Sequence, residues 1–89
     1  MIDKRPWGIM LKLWHTRKLW IKLIYVKKGK RTSLQYHEQR TEFQLTKKGW
    51  NKISPWEHHR LEHGFCLEIA IGLPRENDIT RLEDDYDRT

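Results

Sequence analysis

From Trp7 to Val26, apolar and polar side chains alternate loosely at a period of two, and β-branched and aromatic residues are prominent in the stretch. A helix needs its apolar residues at a period of 3.6, and no segment of this chain sustains that spacing. The stretch therefore reads as two strands, near residues 8–14 and 19–26, broken at His15-Thr-Arg-Lys. Lys27-Lys-Gly-Lys follows as a turn in which Gly29 can take a positive φ. Residues 32–37 and 41–46 alternate as short polar strands, and Lys47-Lys-Gly-Trp-Asn reads as a tight hairpin loop around Gly49. Ile53-Ser-Pro-Trp is a strand that stops at its proline, and residues 65–71 form the most apolar strand, expected at the buried centre. Gly72-Leu-Pro-Arg is a turn. The acidic residues 77–88 are expected outside the core, as a short helical turn or an ordered tail. Short strands separated by glycine and proline turns indicate a small all-β sandwich or barrel.

Composition limits what such a chain can do. Its 89 residues make one domain, residues 1–89, with a thin core. Cys66 is alone, so no disulfide framework and no CxxC or C2H2 zinc site is available. The five glycines include no dinucleotide-binding or P-loop pattern. Five tryptophans supply apolar area, mostly as core and edge cover, and a metal or a partner could add support. Apolar runs such as residues 23–26 and 67–71 are too short to span a bilayer. The first residues lack the apolar core of a secretory signal, and a lone thiol fits a reducing compartment, so a cytoplasmic protein is expected. The formal charge of +6 conceals a split: residues 1–52 carry fourteen Lys and Arg against three acids, whereas residues 53–89 carry four Arg against nine. Two halves of opposite sign that neutralise each other on folding account for this better than a nucleic-acid surface.

Two clusters carry possible chemistry. The first is Gln35-Tyr-His37-Glu-Gln-Arg-Thr-Glu42 and the second is Pro55-Trp-Glu-His-His59-Arg-Leu-Glu-His63. On a strand Gln35 and His37 share a face. Glu42 would point to the other face of a regular strand, but a bulge or bend returns it. A later histidine completes the set, with His58, His59 and His63 as competitors. An amide oxygen, two imidazoles and a carboxylate suit Zn, Mn, Fe or Ni better than Mg or Ca.

Four motifs in order extend this reading: Arg5-Pro-Trp-Gly8, then Lys22 through His37 with Arg40 and Glu42, then His59-Arg-Leu-Glu62, then Asn77-Asp-Ile-Thr-Arg-Leu-Glu-Asp-Asp-Tyr-Asp-Arg88. Together they resemble, over nearly the whole chain, the C-terminal cupin domain of the bifunctional mannose-1-phosphate guanylyltransferase/mannose-6-phosphate isomerases, the type II phosphomannose isomerases. The resemblance implies a minimal cupin, a jelly-roll-like β-barrel, with a divalent metal (Zn, Mn, Fe, Ni or Co) held by Gln35, His37, Glu42 and His59. It also implies interconversion of mannose 6-phosphate and fructose 6-phosphate. Arg81 and Arg88 match arginines of the closing motif and are expected to grip the sugar phosphate, with Lys22 and Arg40 as further candidates. Glu62 and His58 are the candidates for the base. Asp84, Asp85 and Tyr86 are expected to dock the tail on the basic half.

Three departures from the family pattern matter. Only ten residues, 43–52, separate Glu42 from Ile53, where the family has a longer stretch with another hairpin, so a pair of barrel strands is expected to be missing. The second motif lacks its glycine and is one residue tighter before the histidine, which leaves His58 as a rival to His59. The nucleotidyltransferase domain has no counterpart here, so guanylyl transfer is not expected of these residues. A non-catalytic cupin that binds a sugar phosphate or nucleotide sugar is the alternative. The edge left by the missing hairpin points to a homodimer.

Overall fold

The computed structural model describes residues 2–75 and 78–86. Among them the chain forms strands β1 (Ile2–Arg5), β2 (Gly8–His15), β3 (Leu19–Val26), β4 (Leu34–Tyr36), β5 (Arg40–Thr46), β6 (Gly49–Ile53), β7 (Gly64–Gly72) and β8 (Thr80–Glu83), with no helix. The all-β expectation holds, in a small barrel-like arrangement of antiparallel sheets compatible with a cupin. Six strands form one sheet in the order β1-β2-β3-β7-β5-β6, and β4 pairs with β8 in a second. A single bridge between Gln35 and His59 fastens the loop after β6 to the second sheet.

Three local outcomes differ from the sequence reading. Ile2–Arg5 forms a strand paired with β2, which the short polar run did not announce. The strand expected from Ile53 through Pro55 lies earlier, as β6 from Gly49 to Ile53, while the expected tight loop forms with Thr46 paired to Gly49 across Lys47 and Lys48 and Gly49 at φ 99°. The shortened centre thus still closes as β5–β6, because a two-residue loop is enough to reverse an antiparallel strand. The acidic tail supplies β8 where a helical turn was one option, and Arg31 holds it through a bidentate pair with Asp85 at 2.9 and 3.0 Å. Tyr86 packs against the apolar core and donates its hydroxyl to the Arg31 carbonyl.

Side-chain alternation divides the sheet into two faces. Inward from β3 come Trp20, Lys22, Ile24 and Val26, from β7 Cys66, Glu68 and Ala70, and from β5 Arg40, Glu42 and Gln44, all buried. Register stacks these into rows: Ile24 opposite Cys66, Lys22 opposite Glu68 opposite Gln44, and Trp20 opposite Ala70 opposite Glu42. The first row joins Trp7 and Val26 in an apolar layer backed by Met10, Leu61 and Tyr86. The second row is wholly polar and the third sets Glu42 beside Trp20 and Ala70, and buried charges cost free energy unless paired. One end of the interior is therefore a core and the other is built around charges. Of the tryptophans expected inside or at edges, Trp7 and Trp20 are buried, whereas Trp14, Trp50 and Trp56 are each 59% exposed.

Candidate metal centre

The bridge at Gln35 decides which histidine faces inward. Gln35 and His59 exchange both backbone hydrogen bonds, at 2.9 and 2.8 Å, so their side chains fall on one face with His37 two residues on. Tyr36 and His58 fall on the other face, where the His58 ring stacks on Tyr36 at 5.6 Å and Trp56 stacks at 5.4 Å. This parity separates His59 from its rivals: His58 is exposed on the outside, and His63 lies beside Tyr25. Between β4 and β5 the chain bends at residues 38 and 39, and β5 then points Glu42 inward. The expected bend is what reunites Glu42 with His37.

His37, Glu42 and His59 offer ligand atoms that all lie within 4.8 Å of one another. His37 Nε2 is 3.2 Å from His59 Nε2 and 3.6 Å from Glu42 Oε2, and His59 Nε2 is 3.3 Å from Glu42 Oε1. Ligands about 2.0–2.1 Å from a tetrahedral ion are about 3.3 Å apart, so these separations suit one small divalent cation. Glu42 Oε2 is buried without a hydrogen-bond partner, which leaves it a lone pair for such an ion. His37 Nδ1 donates to the Asp78 carbonyl, which fixes the tautomer and leaves Nε2 as acceptor toward the cluster. The Asp78 carboxylate in turn accepts from the Glu38 and Gln39 amides, both at 2.9 Å, and so holds the bend. Gln35 lines the neighbouring cavity, with its amide oxygen accepting from Ser33 Oγ at 2.8 Å. The residues present fit a divalent metal.

Electrostatics sharpen the division of labour. Burial lowers His37 to about 4, and the nearby Arg40 charge outweighs part of the help from Glu42, so the ring is neutral as a ligand must be. Burial alone would raise Glu42, but the His59 hydrogen bond and the Arg40 and histidine charges hold it at about 2. Burial lowers His59, yet its bond to Glu42 prevails and raises it. Arg40 reaches both His37 and Glu42: Nη2 donates to the His37 Nε2 lone pair at 2.9 Å, a bond that an ion on Nε2 would displace, and Nε lies 2.9 Å from Glu42 Oε2 without hydrogen-bond alignment. Its guanidinium also sits over Trp20 at 4.4 Å.

Beside this cluster lies a cavity of about 70 Å³ lined by Lys22, Gln35, Arg40, His59, Glu68 and Arg81, among others. Lys22, expected on a strand feeding the barrel, is 2% exposed with its ammonium 3.6 Å over the Trp20 ring. Arg81 reaches the cavity from β8, opposite Gln35. Arg88 lies outside the described residues. Glu62 is exposed, and neither it nor His58 lines the cavity. Arg60 instead ties the loop to the barrel through the Thr32 carbonyl. Cys66 is buried with its thiol pushed up to about 12, which makes it inert.

The carboxylate that does face the cavity is Glu68, which the motif reading passed over. Trp20 Nε1 donates to it at 3.1 Å and Gln44 Nε2 at 3.4 Å. Burial, reinforced by the Glu42 charge, raises it to about 7. The available signal was its position: a lone acid in the most apolar strand, two residues from Cys66 and from Ala70, and so on the inward face.

No family model matches the chain, and no curated protein or solved structure is significantly similar to it. The likeness to the isomerase cupins therefore rests on the four sequence motifs alone. No helix among the described residues is long and apolar enough to cross a membrane.

Proposed function

We propose that this chain is a metal-dependent cupin that acts on a sugar phosphate, interconverting mannose 6-phosphate and fructose 6-phosphate. One observation carries the reading: a two-histidine, one-carboxylate cluster sits beside a partly open cavity in which Lys22, Arg40 and Arg81 are gathered. Cations in a confined, poorly solvated space favour an anionic ligand. His37, Glu42 and His59, with Gln35, would hold the ion, which would supply positive charge for an oxyanion developing on the substrate.

The protein's own groups cover the proton transfers. As a carboxylate, Glu68 takes the C2 proton of the aldose. The C2–H electron pair becomes the C1–C2 double bond, and the carbonyl pair moves to O1, which takes a proton from the Lys22 ammonium. Glu68 then returns its proton to C1, and the O2 hydroxyl proton passes to the Lys22 amine as the C2 carbonyl forms. A carboxyl near 7 is matched to this exchange at neutral pH. Arg81 is placed to grip the phosphate.

A second reading has its own observation. The cavity, about 70 Å³, is well below the roughly 300–1,000 Å³ of ordinary small-molecule sites. That favours a module that binds the anionic end of a sugar phosphate or nucleotide sugar without turnover. A coupled isomerase assay on untagged protein reloaded with Zn, Mn, Fe, Ni or Co separates the two. Metal-dependent turnover, abolished in Glu68→Gln while metal is retained, is the expected result. Binding of mannose 6-phosphate without turnover under any metal would leave the module reading and overturn the isomerase.

A further inference from the structure

The outward face of the six-stranded sheet is as apolar as a core, yet none of its side chains is buried. Cross-strand register aligns Leu11, Leu23, Leu67, Leu45 and Trp50 in one row across five strands. Trp14, Ile21, Ile69 and Phe43 form the next row, Leu19 and Ile71 the one beyond it, and Ile9, Tyr25 and Phe65 flank the first on the other side. All of these are half-buried or exposed, with Phe65 at 65%, Trp14 and Trp50 at 59% and Ile71 at 40%. Such alternation normally pairs an apolar face with a polar one, and here the solvent-side positions are apolar instead.

From this geometry we infer that a second copy of the chain packs on this face, sheet against sheet, to make a two-fold dimer. Three arguments select that occupant. The first is size. Three exposed aromatics, each able to bury about 150–250 Å², leave roughly 350 Å² open between them. Five strands spaced about 4.8 Å apart and four residue rows long give the face a projected area of roughly 600 Å². With its side-chain relief the face approaches the ~800 Å² that each partner contributes to a stable complex. The second is chemistry. The face is nearly free of charge on a chain of net charge +6, with Lys4 and Lys52 only at its margins, so two copies meet there without the repulsion they would feel elsewhere. Its complement is another apolar sheet, and the face itself supplies one.

The third argument excludes the sheet edges. The edge strands of the six-stranded sheet are β1 and β6; in the second sheet β4 is bridged to His59 and β8 carries Arg81 and Glu83. β1 carries Lys4 and Arg5, and β6 carries Lys52 beside the Lys47-Lys48 turn. Lysines on an edge oppose strand addition. The homodimer expected from an open edge is thus better placed on the face.

Sedimentation or light scattering at about 100 µM, where even a micromolar dimer is mostly associated, gives the mass. The expected value is twice 11.0 kDa, falling to one chain in Leu23→Lys and Leu67→Lys variants that keep the wild-type circular dichroism. Covalent footprinting of the wild type, dilute against concentrated, needs no variant to fold and should protect Trp14, Trp50 and Phe65 on association. A monomer at this concentration overturns the inference. So does a dimer whose footprint lies on β1 or β6 with the face still reactive.

Discussion

Glu68 concentrates the tension between stability and chemistry in a single side chain. Its unfolded value of 4.5 rises to about 7 in the fold, so between those values the folded chain binds more protons than the unfolded one. The stability linked to Glu68 is fully present below pH 4.5 and is lost as pH rises through 7. His37 runs the other way: lowered from 6.5 to about 4, it adds stability as pH rises across that window. The two offset each other below about pH 6.5, and above it the Glu68 loss continues together with that of His59, whose raised value acts in the same direction. In Glu68→Gln, stability measured by urea unfolding should therefore gain on the wild type by about 3 kcal/mol between pH 4.5 and pH 8. Parallel curves for the two proteins would show that the carboxyl is not perturbed. The candidate ligands were legible at this scale because Gln35 and His37 share strand parity and the motif run supplied Glu42 and His59. Glu68 was not, because its role comes from the β3–β7–β5 register that sets it opposite Lys22 and Gln44. Those partners lie 46 and 24 residues away, and no local pattern encodes such pairing.

At the scale of elements, the site depends on two connections being held in place. The β4–β5 bend brings Glu42 back to His37 and is anchored by the Asp78 carboxylate. Gly72 closes the same region from β7: it has φ 109°, and a Cβ there would lie 2.7 Å from the Gln39 carbonyl, next to Arg40. Gly72→Ala combines backbone strain with that clash, so thermal or urea unfolding should show a loss of about 2–3 kcal/mol. A loss below about 0.5 kcal/mol would mean that the bend is not tightly held. The long strands β2, β3 and β7 could be read directly because they are rich in β-branched, aromatic and other apolar residues, and β5 from its polar alternation. β1 and β8 could not. Each is four residues long and polar, and each is a strand because a neighbour, β2 or β4, offers it an edge.

For the whole molecule, the opposed charges of the two halves have a partial structural answer. Arg31 binds Asp85, and Lys22 lies beside Glu68 on the neighbouring strands β3 and β7, so basic and acidic segments meet both outside and inside. The thin core expected of 89 residues is thinner still, because one of its three inward rows is wholly polar and another carries Glu42. A metal that binds only the folded chain, and a second copy on the open sheet face, would each add stability by mass action. The all-β class followed from the sequence pattern; the placement of charge inside and apolar surface outside did not, because alternation specifies two faces without saying which one faces inward. The central claim is that this interior is a metal site. Metal analysis and calorimetric titration of untagged protein with Zn, Mn, Fe, Ni and Co test it most directly, alongside Glu42→Gln. The expected result is about one ion per chain, bound at least tenfold more weakly when Glu42 is replaced. Protein that takes up no stoichiometric metal from any of these, or a Glu42→Gln variant that binds as tightly as wild type, would contradict it.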